Sequence, residues 1–206
     1  MAKLHDQKAI SAACRQICRV DSDFARAYKA AGPPQPRQRP TGFTTLLDII
    51  VSQQLSTQAA DTIMARVKAL MPRVSAANLL ALSDEQLRGA GLSRQKVDYA
   101  RHLAEELDSG RLKLNGLAKM DDNDAVARLQ QLRGIGRWSA EIYLMFSLGR
   151  SDIFAADDLA LRVALGRMKA TDAVPTAKEA RALTESWSPW RSAGSLFLWK
   201  YYRHSD

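Results

Sequence analysis

The sequence predicts an all-α protein, and three observations carry that reading. Apolar residues recur at three- and four-residue intervals along most of the chain, and no segment keeps a period-two alternation. Serine, threonine and acidic residues head several of the periodic stretches, and glycine or proline closes them.

Residues 9–31 form the first helical stretch, with Ile10, Cys14 and Ile17 on one face and Phe24, Ala27 and Tyr28 following a break near Asp21. Gly32-Pro33-Pro34-Gln35-Pro36-Arg37-Gln38-Arg39-Pro40 lacks the amide donors a helix needs and marks the clearest boundary in the chain. Phe43, Leu46, Leu47, Ile50 and Val51 then build an amphipathic helix that ends near Gln53-Gln54-Leu55-Ser56. The next begins at Ser56 or Thr57 and runs through Ile63, Val67 and Leu70 to Pro72. Ser83 with Gln86 is a capping-box pattern for a short helix closed by Gly89 and Gly91. Ser93 heads a helix with Val97, Ala100, Leu103 and Leu107 on one face and Gly110 beyond its end. The acids from Asp121 to Asp124 favour the start of another through its dipole.

Ala125, Leu129 and Leu132 lead into a tight turn, Leu132-Arg133-Gly134-Ile135-Gly136-Arg137-Trp138, and Ile142, Met145 and Phe146 resume helical spacing after it. Glycines allow positive φ and let another group approach without a Cβ in the way. The second helix starts with unpaired amides that suit a phosphate oxygen, and Arg133 and Arg137 bracket the turn. About twenty residues past Trp138, Asp157 and Asp158 interrupt the apolar run Phe154-Ala155-Ala156 before a helix that continues through Leu161, Val163 and Leu165 to about Met168. By this reading Asp157 is a helix cap. Thr176 and Glu179 form a second capping box after Pro175, heading a helix with Leu183 and Trp187. Ser188 is then read as a cap, with Pro189 in the first turn of the last helix.

A chain of 206 residues suits one domain or two small lobes and buries about 70% of its unfolded surface. Hydrophobic residues at 46% and charged residues at 25% fit an ordinary globular composition. The net charge of +8 points to a polyanionic partner. Arg37, Arg39, Arg94, Lys96 and Arg191 are candidates to track phosphates of such a partner, although taken singly each reads as a solvated surface charge. Cys14 and Cys18 are the only cysteines and read as two reduced, part-buried thiols rather than half of a metal site. No stretch reaches the roughly 18 apolar residues of a membrane span, so no membrane is expected as a partner, and the N-terminus does not pattern as a signal peptide.

The turn LRGIGRWSAE (132–141), the acid segment DIFAADDLALR (152–162), FTTLLDIIVSQQLS (43–56), GLSRQKVDYA (91–100) and WSPWRS (187–192) together resemble the helix-hairpin-helix DNA glycosylases. The likeness runs from about residue 43 to residue 199 and is to the alkyl-purine branch, the 3-methyladenine DNA glycosylase II type. It implies two helical lobes with a DNA-binding cleft between them. One lobe would span about 41–150, and the other would join about 1–40 to 151–206. It also implies double-stranded DNA with damaged bases as the partner and a monomeric enzyme. The expected compartment holds the genome: the cytoplasm, associated with the nucleoid, in a bacterium, or the nucleus in a eukaryote. The extra N-terminal β-domain of some relatives is not expected, because helical patterning begins by about Ile10.

The resemblance assigns roles by register. Asp158 is the catalytic carboxylate, stabilising an oxocarbenium-like sugar and orienting or deprotonating water. Family members that also cut the strand carry a lysine just after the hairpin; Trp138 stands there and cannot attack, which implies a monofunctional glycosylase. Trp138 and Trp199 would lie beside an extruded cationic base; relatives carry a tyrosine four residues past the tryptophan, where this chain has Ile142, with Tyr143 adjacent as a further pocket aromatic. Taken alone, the aromatic run Phe197–Tyr202 reads as core. Gln53, Gln54, Leu55 and Ser56 would meet DNA, Gln54 or Leu55 filling the hole left by the flipped base, whereas by pattern alone Gln53-Gln54 is a polar helix end. Arg133, Gly134, Ile135, Gly136 and Arg137 would grip the backbone. Main-chain carbonyls of Gln130, Leu132 and Ile135 would hold a structural Na+ or K+, with no cofactor required. The four-cysteine iron–sulfur cluster of related endonuclease-type enzymes is excluded, because no cysteine follows Cys18. Two other readings stand beside this one: a non-enzymatic hairpin module that only grips DNA, and a glycosylase for uracil or mismatched thymine. A third, a basic helical protein-interaction domain, does not use the ordered motifs.

Overall fold

The computed structural model describes residues 6–203, and among them the only regular elements are helices. In chain order these are α1 (Gln7–Val20), α2 (Ser22–Ala31), α3 (Phe43–Ser52), α4 (Thr57–Ala69), α5 (Ala76–Leu80), α6 (Asp84–Gly89) and α7 (Arg94–Asp108). They continue with α8 (Leu114–Leu117), α9 (Asp122–Gln130), α10 (Arg137–Phe146), α11 (Leu159–Lys169), α12 (Ala177–Leu183), a 3-10 turn (Glu185–Trp187) and α13 (Arg191–Arg203). The chain divides into two compact units, one from Arg39 to Tyr143 and the other joining the chain up to Gln38 with the chain from Leu144 onward. The second junction falls within α10.

In the continuous unit, α7 is the central strut, with α3, α5 and α6 packed on it. Its buried stripe is Val97, Ala100, Leu103 and Ala104, at helical spacing, whereas Leu107, expected on the same face, is only half-buried. Opposite it Leu46, Leu47, Ile50, Leu79 and Leu87 are fully buried, each contributing roughly 1.5–3 kcal/mol relative to exposure. Ser56, Ser83 and Ser93 cap α4, α6 and α7, and the Ser83–Gln86 box is complete in both directions. The short helices α5 and α8 were not expected. Neither is long enough for periodicity to show, and one core residue each, Leu79 and Leu117, holds them in place.

The discontinuous unit packs α1, α2, α11 and α13 around an aromatic core. The Phe24 ring lies 4.6 Å from Phe197 and 5.1 Å from Trp187, centroid to centroid. Gly194 of α13 makes room for that core, since a Cβ there would come within 2.4 Å of the Trp187 ring. The break near Asp21 is a double cap: its amide closes α1 on the Ile17 carbonyl, and its carboxylate opens α2 by accepting from the Phe24 amide. Asp21 is buried, and it also accepts from Trp187 Nε1 and from Lys169 Nζ, each at 2.7 Å. Burial pushes its carboxyl pKa up, but hydrogen bonds from Lys169, the Phe24 amide and Trp187 outweigh that and leave it below the usual carboxylate value. Cys14 is buried and free, and burial pushes its thiol up to about 12; Cys18 is free and half-buried.

Three expectations are corrected at helix ends. Trp187 does not belong to α12 but sits in the following 3-10 turn, fully buried, because its indole N–H is tied to Asp21. Ser188 and Pro189 precede the last helix rather than opening it: the Ser188 hydroxyl donates to Asp152 Oδ2, and α13 begins at Arg191. Asp157 is not the cap of α11. It pairs with Arg181 at 3.5 Å, and Asp158 caps instead, accepting from the Leu161 amide at 3.1 Å.

Candidate functional site

The two-glycine turn is built by α9 and α10 and supported by α7. After α9 the Ile135 amide donates to the Leu132 carbonyl at 3.1 Å, which closes the turn on itself and leaves Ile135 buried. Gly134 has φ +79, and a Cβ on it would lie 2.2 Å from the Tyr99 ring. Only glycine meets both demands. Gly136 differs, because nothing lies within 4 Å of its would-be Cβ. It has no side chain to cap the amides of α10, and that helix opens with no acid in its first turn.

The two arginines at the turn are partly committed within the protein. Arg133 pairs with Asp98 at 3.2 Å between two largely exposed side chains, a contact weak enough to yield to a phosphate. Its amide donates to His102 Nδ1 at 3.2 Å, so that nitrogen serves as an acceptor. Arg137 is held at 2.9 Å by Glu141, whose side chain is almost wholly buried, and this aims a half-exposed guanidinium beside the start of α10.

The segment after α3 meets this turn directly. Gln53 Nε2 donates to the Gly134 carbonyl at 2.6 Å, so the two stretches form opposite walls of one open groove of 730 Å³, with Lys96 and Tyr99 of α7 between them. Gln54 stands at the tip in the left-handed region, φ 57, and is exposed; Leu55 beside it is 39% exposed. A non-glycine residue held in that region carries strain, and such strain concentrates at working sites. Ser56 caps α4 through the Ala59 amide at 3.3 Å.

The aromatic candidates part company. Trp138, second residue of α10, is 40% exposed. Tyr143 is 1% exposed and its hydroxyl accepts from the Gly42 amide at 3.1 Å; in this conformation it anchors the start of α3 and offers no open face. In the other unit Trp199 is half-buried, tilted against Phe146 at 5.7 Å, and the Arg37 guanidinium lies 5.8 Å from its ring centre. A cation of the protein already lies against that ring. Asp158 is half-buried, and its capping bond fixes the carboxylate at the head of α11.

Reasoning from the sequence missed what α7 does for the site. Lys96, Tyr99 and His102 recur every third residue beside the apolar stripe, and all three reach the groove's walls: Lys96 to the α3 turn, Tyr99 and His102 to the hairpin. That spacing was the available signal.

Two helices joined by a glycine turn, the second opening with no acid in its first turn beside two arginines, define a helix-hairpin-helix protein. Residues 47–189 match the model of the HhH-GPD superfamily of base excision DNA repair proteins. The chain belongs to that superfamily. It is 29% identical over 194 residues to DNA-3-methyladenine glycosylase 1 of Schizosaccharomyces pombe, covering 91% of this chain and 85% of the relative. Among solved structures it is similar to a DNA-3-methyladenine glycosidase from Bacillus halodurans, with 33% identity and a TM-score of 0.84 over 90% of this chain and 87% of that one. It is likewise similar to a 3-methyladenine DNA glycosylase of S. pombe in complex with abasic DNA, with 28% identity and a TM-score of 0.81 over 91% and 95% of the two chains.

Proposed function

We propose that the protein is a monofunctional DNA glycosylase of base excision repair, which draws an alkylated base such as 3-methyladenine from the duplex and hydrolyses its N-glycosidic bond to leave an abasic site. One observation carries this reading beyond DNA binding: the exposed, left-handed Gln54 at the tip of a turn that Gln53 ties to the hairpin at 2.6 Å. A module that only grips the backbone has no use for a strained, projecting turn registered against its phosphate site. An enzyme that empties a position in the base stack needs a side chain held ready to fill it.

In this reading the opening amides of α10, with Arg133 and Arg137, hold phosphates, and Gln54 enters the stack with Leu55 beside it. An N-alkylated purine is cationic and already a good leaving group, so the site needs no acid to protonate it. The exposed face of Trp138 attracts that cation, and Asp158 supplies negative charge to the developing oxocarbenium sugar and takes the proton of the attacking water. The capping bond from Leu161 keeps the carboxylate from swinging away. The residue after the hairpin turn is an arginine followed by Trp138, with no lysine to form a Schiff base. The carbonyls of Gln130, Leu132 and Ile135 lie at and just past the end of α9 and would supply the oxygens for a monovalent cation. Such an ion would add positive charge beside the bound phosphate. The protein would act on double-stranded DNA as a monomer, in the compartment that holds the genome.

The test is to incubate the protein with methylated duplex DNA and separate the released bases by chromatography. Free 3-methyladenine or 7-methylguanine is the expected product. Tight binding with no base released would instead support the bare hairpin module, and release of uracil or mispaired thymine alone would reassign the lesion. Borohydride trapping of a covalent protein–DNA adduct would contradict the monofunctional assignment.

A further inference from the structure

The turn that bears Gln54 is weakly held by its own backbone. The Gln53 amide reaches the Ile50 carbonyl at 3.4 Å and the Leu55 amide reaches the Ser52 carbonyl at 3.3 Å, both long for N–H···O bonds. No glycine relieves Gln54, and α3 has no basic residue in its last turn to meet its exposed carbonyls. The missing charge comes from another helix. Lys96 Nζ of α7 donates to the Val51 carbonyl and to the Gln53 carbonyl, each at 2.7 Å, and so brackets Ser52 from both sides. Charge-assisted bonds of that length are about twice as strong as neutral ones. Partial burial pulls the Lys96 ammonium below its usual pKa, so the protein keeps this cation in place against a desolvation cost. Three residues on, Tyr99 backs Gly134 of the hairpin, so one rigid helix sets the spacing of both walls of the groove.

We propose that Lys96 is a positioning residue for base extrusion: it clamps the Val51 and Gln53 carbonyls, and thereby holds Gln54 at the tip in register with the hairpin. The proposal deepens the glycosylase reading and rests on it for the role of Gln54. Lys96→Met keeps most of the stem and removes the donors, and Lys96→Arg keeps the charge. Two measurements decide the matter. The first is base release from methylated DNA, paired and single-stranded. The second uses a duplex with 2-aminopurine beside a stable abasic analogue, whose fluorescence reports side-chain insertion without any bond cleavage.

Lys96→Met is expected to lose about tenfold more release on paired DNA than on single strands, and to reduce the fluorescence change to the level of Gln54→Ala. Lys96→Arg should retain paired activity within about threefold. Combining Lys96→Met with Gln54→Ala should cost little beyond either alone, because both act through one element. Equal losses on paired and single-stranded DNA, additive effects in the double variant, or an arginine variant as poor as the methionine one would each overturn the proposal. If Lys96→Met does not fold, the arginine variant decides. If wild-type protein releases no base, the activity reading fails, while the fluorescence change still tests the clamp.

Discussion

Helix α10 opens after Gly136 with Arg137 and Trp138 and no acid in its first turn, whereas α11 opens after Asp158, whose carboxylate takes the Leu161 amide. Both follow an irregular segment, and both present amides that a helix cannot satisfy internally. The first has no carboxylate of its own at that positive end. The second fills it from its own chain, and so pins a negative charge at one place in the fold. A third opening, at α2, shows the same device fully absorbed: Asp21 caps the helix but is buried and also taken by Lys169 and Trp187. What a helix start can do therefore depends on how much of its cap is consumed by packing, more than on the residue type standing there.

The contrast between a working cap and an absorbed one is broken most sharply at Asp158. Asn caps as well as Asp, so Asp158→Asn should keep the start of α11 while lowering base release by about 100-fold or more, with DNA affinity retained. Near-normal turnover in single-turnover assays would reduce Asp158 to a cap. Next in size is Gly134→Ala. With φ +79 and Tyr99 at 2.2 Å from the new methyl, the hairpin should lose roughly 2–4 kcal/mol and the melting temperature should fall by roughly 5–10 °C. Calorimetry showing an unchanged melt would mean the turn relaxes freely.

Gly136→Ala sharpens the same point from the other side. Open space surrounds that position, so the fold should be indifferent, with a melting shift within about 2 °C, while duplex affinity should drop because the methyl would crowd a phosphate held as proposed at the start of α10. Smallest is the pH effect at Asp21. Its folded pKa lies below the unfolded value of about 3.9. The stabilisation it provides is therefore complete above that value and is lost as pH falls through the lower folded one. Urea unfolding across that acid range should show a decline that Asp21→Asn flattens.

Much of this was legible in advance. The capping boxes at Ser83 and Thr176, the break at Asp21 and the apolar stripe of α7 are local, and each formed where the pattern put it. Boundaries failed where a distant partner decided them. Ser188 looks like a cap until Asp152 claims its hydroxyl, and Trp187 looks like a helix residue until Asp21 claims its indole. Asp157 and Asp158 are indistinguishable by type, and the fold separates them by placing the second, not the first, at the cap of α11. Lys96 reads as one surface charge among many, because the carbonyls it holds lie 45 and 43 residues away in the chain.

Side-chain periodicity and cap chemistry act over three or four residues, and they were enough to determine an all-helical chain with a glycine hairpin and an acid following at a set distance. Which glycine is sterically obligatory, which acid is held at a helix head, and which lysine secures the Gln54 turn were decided only by tertiary structure. Those outcomes depend on atoms brought together across the chain, where a single hydrogen bond or a ring at 2.2 Å outweighs any local preference.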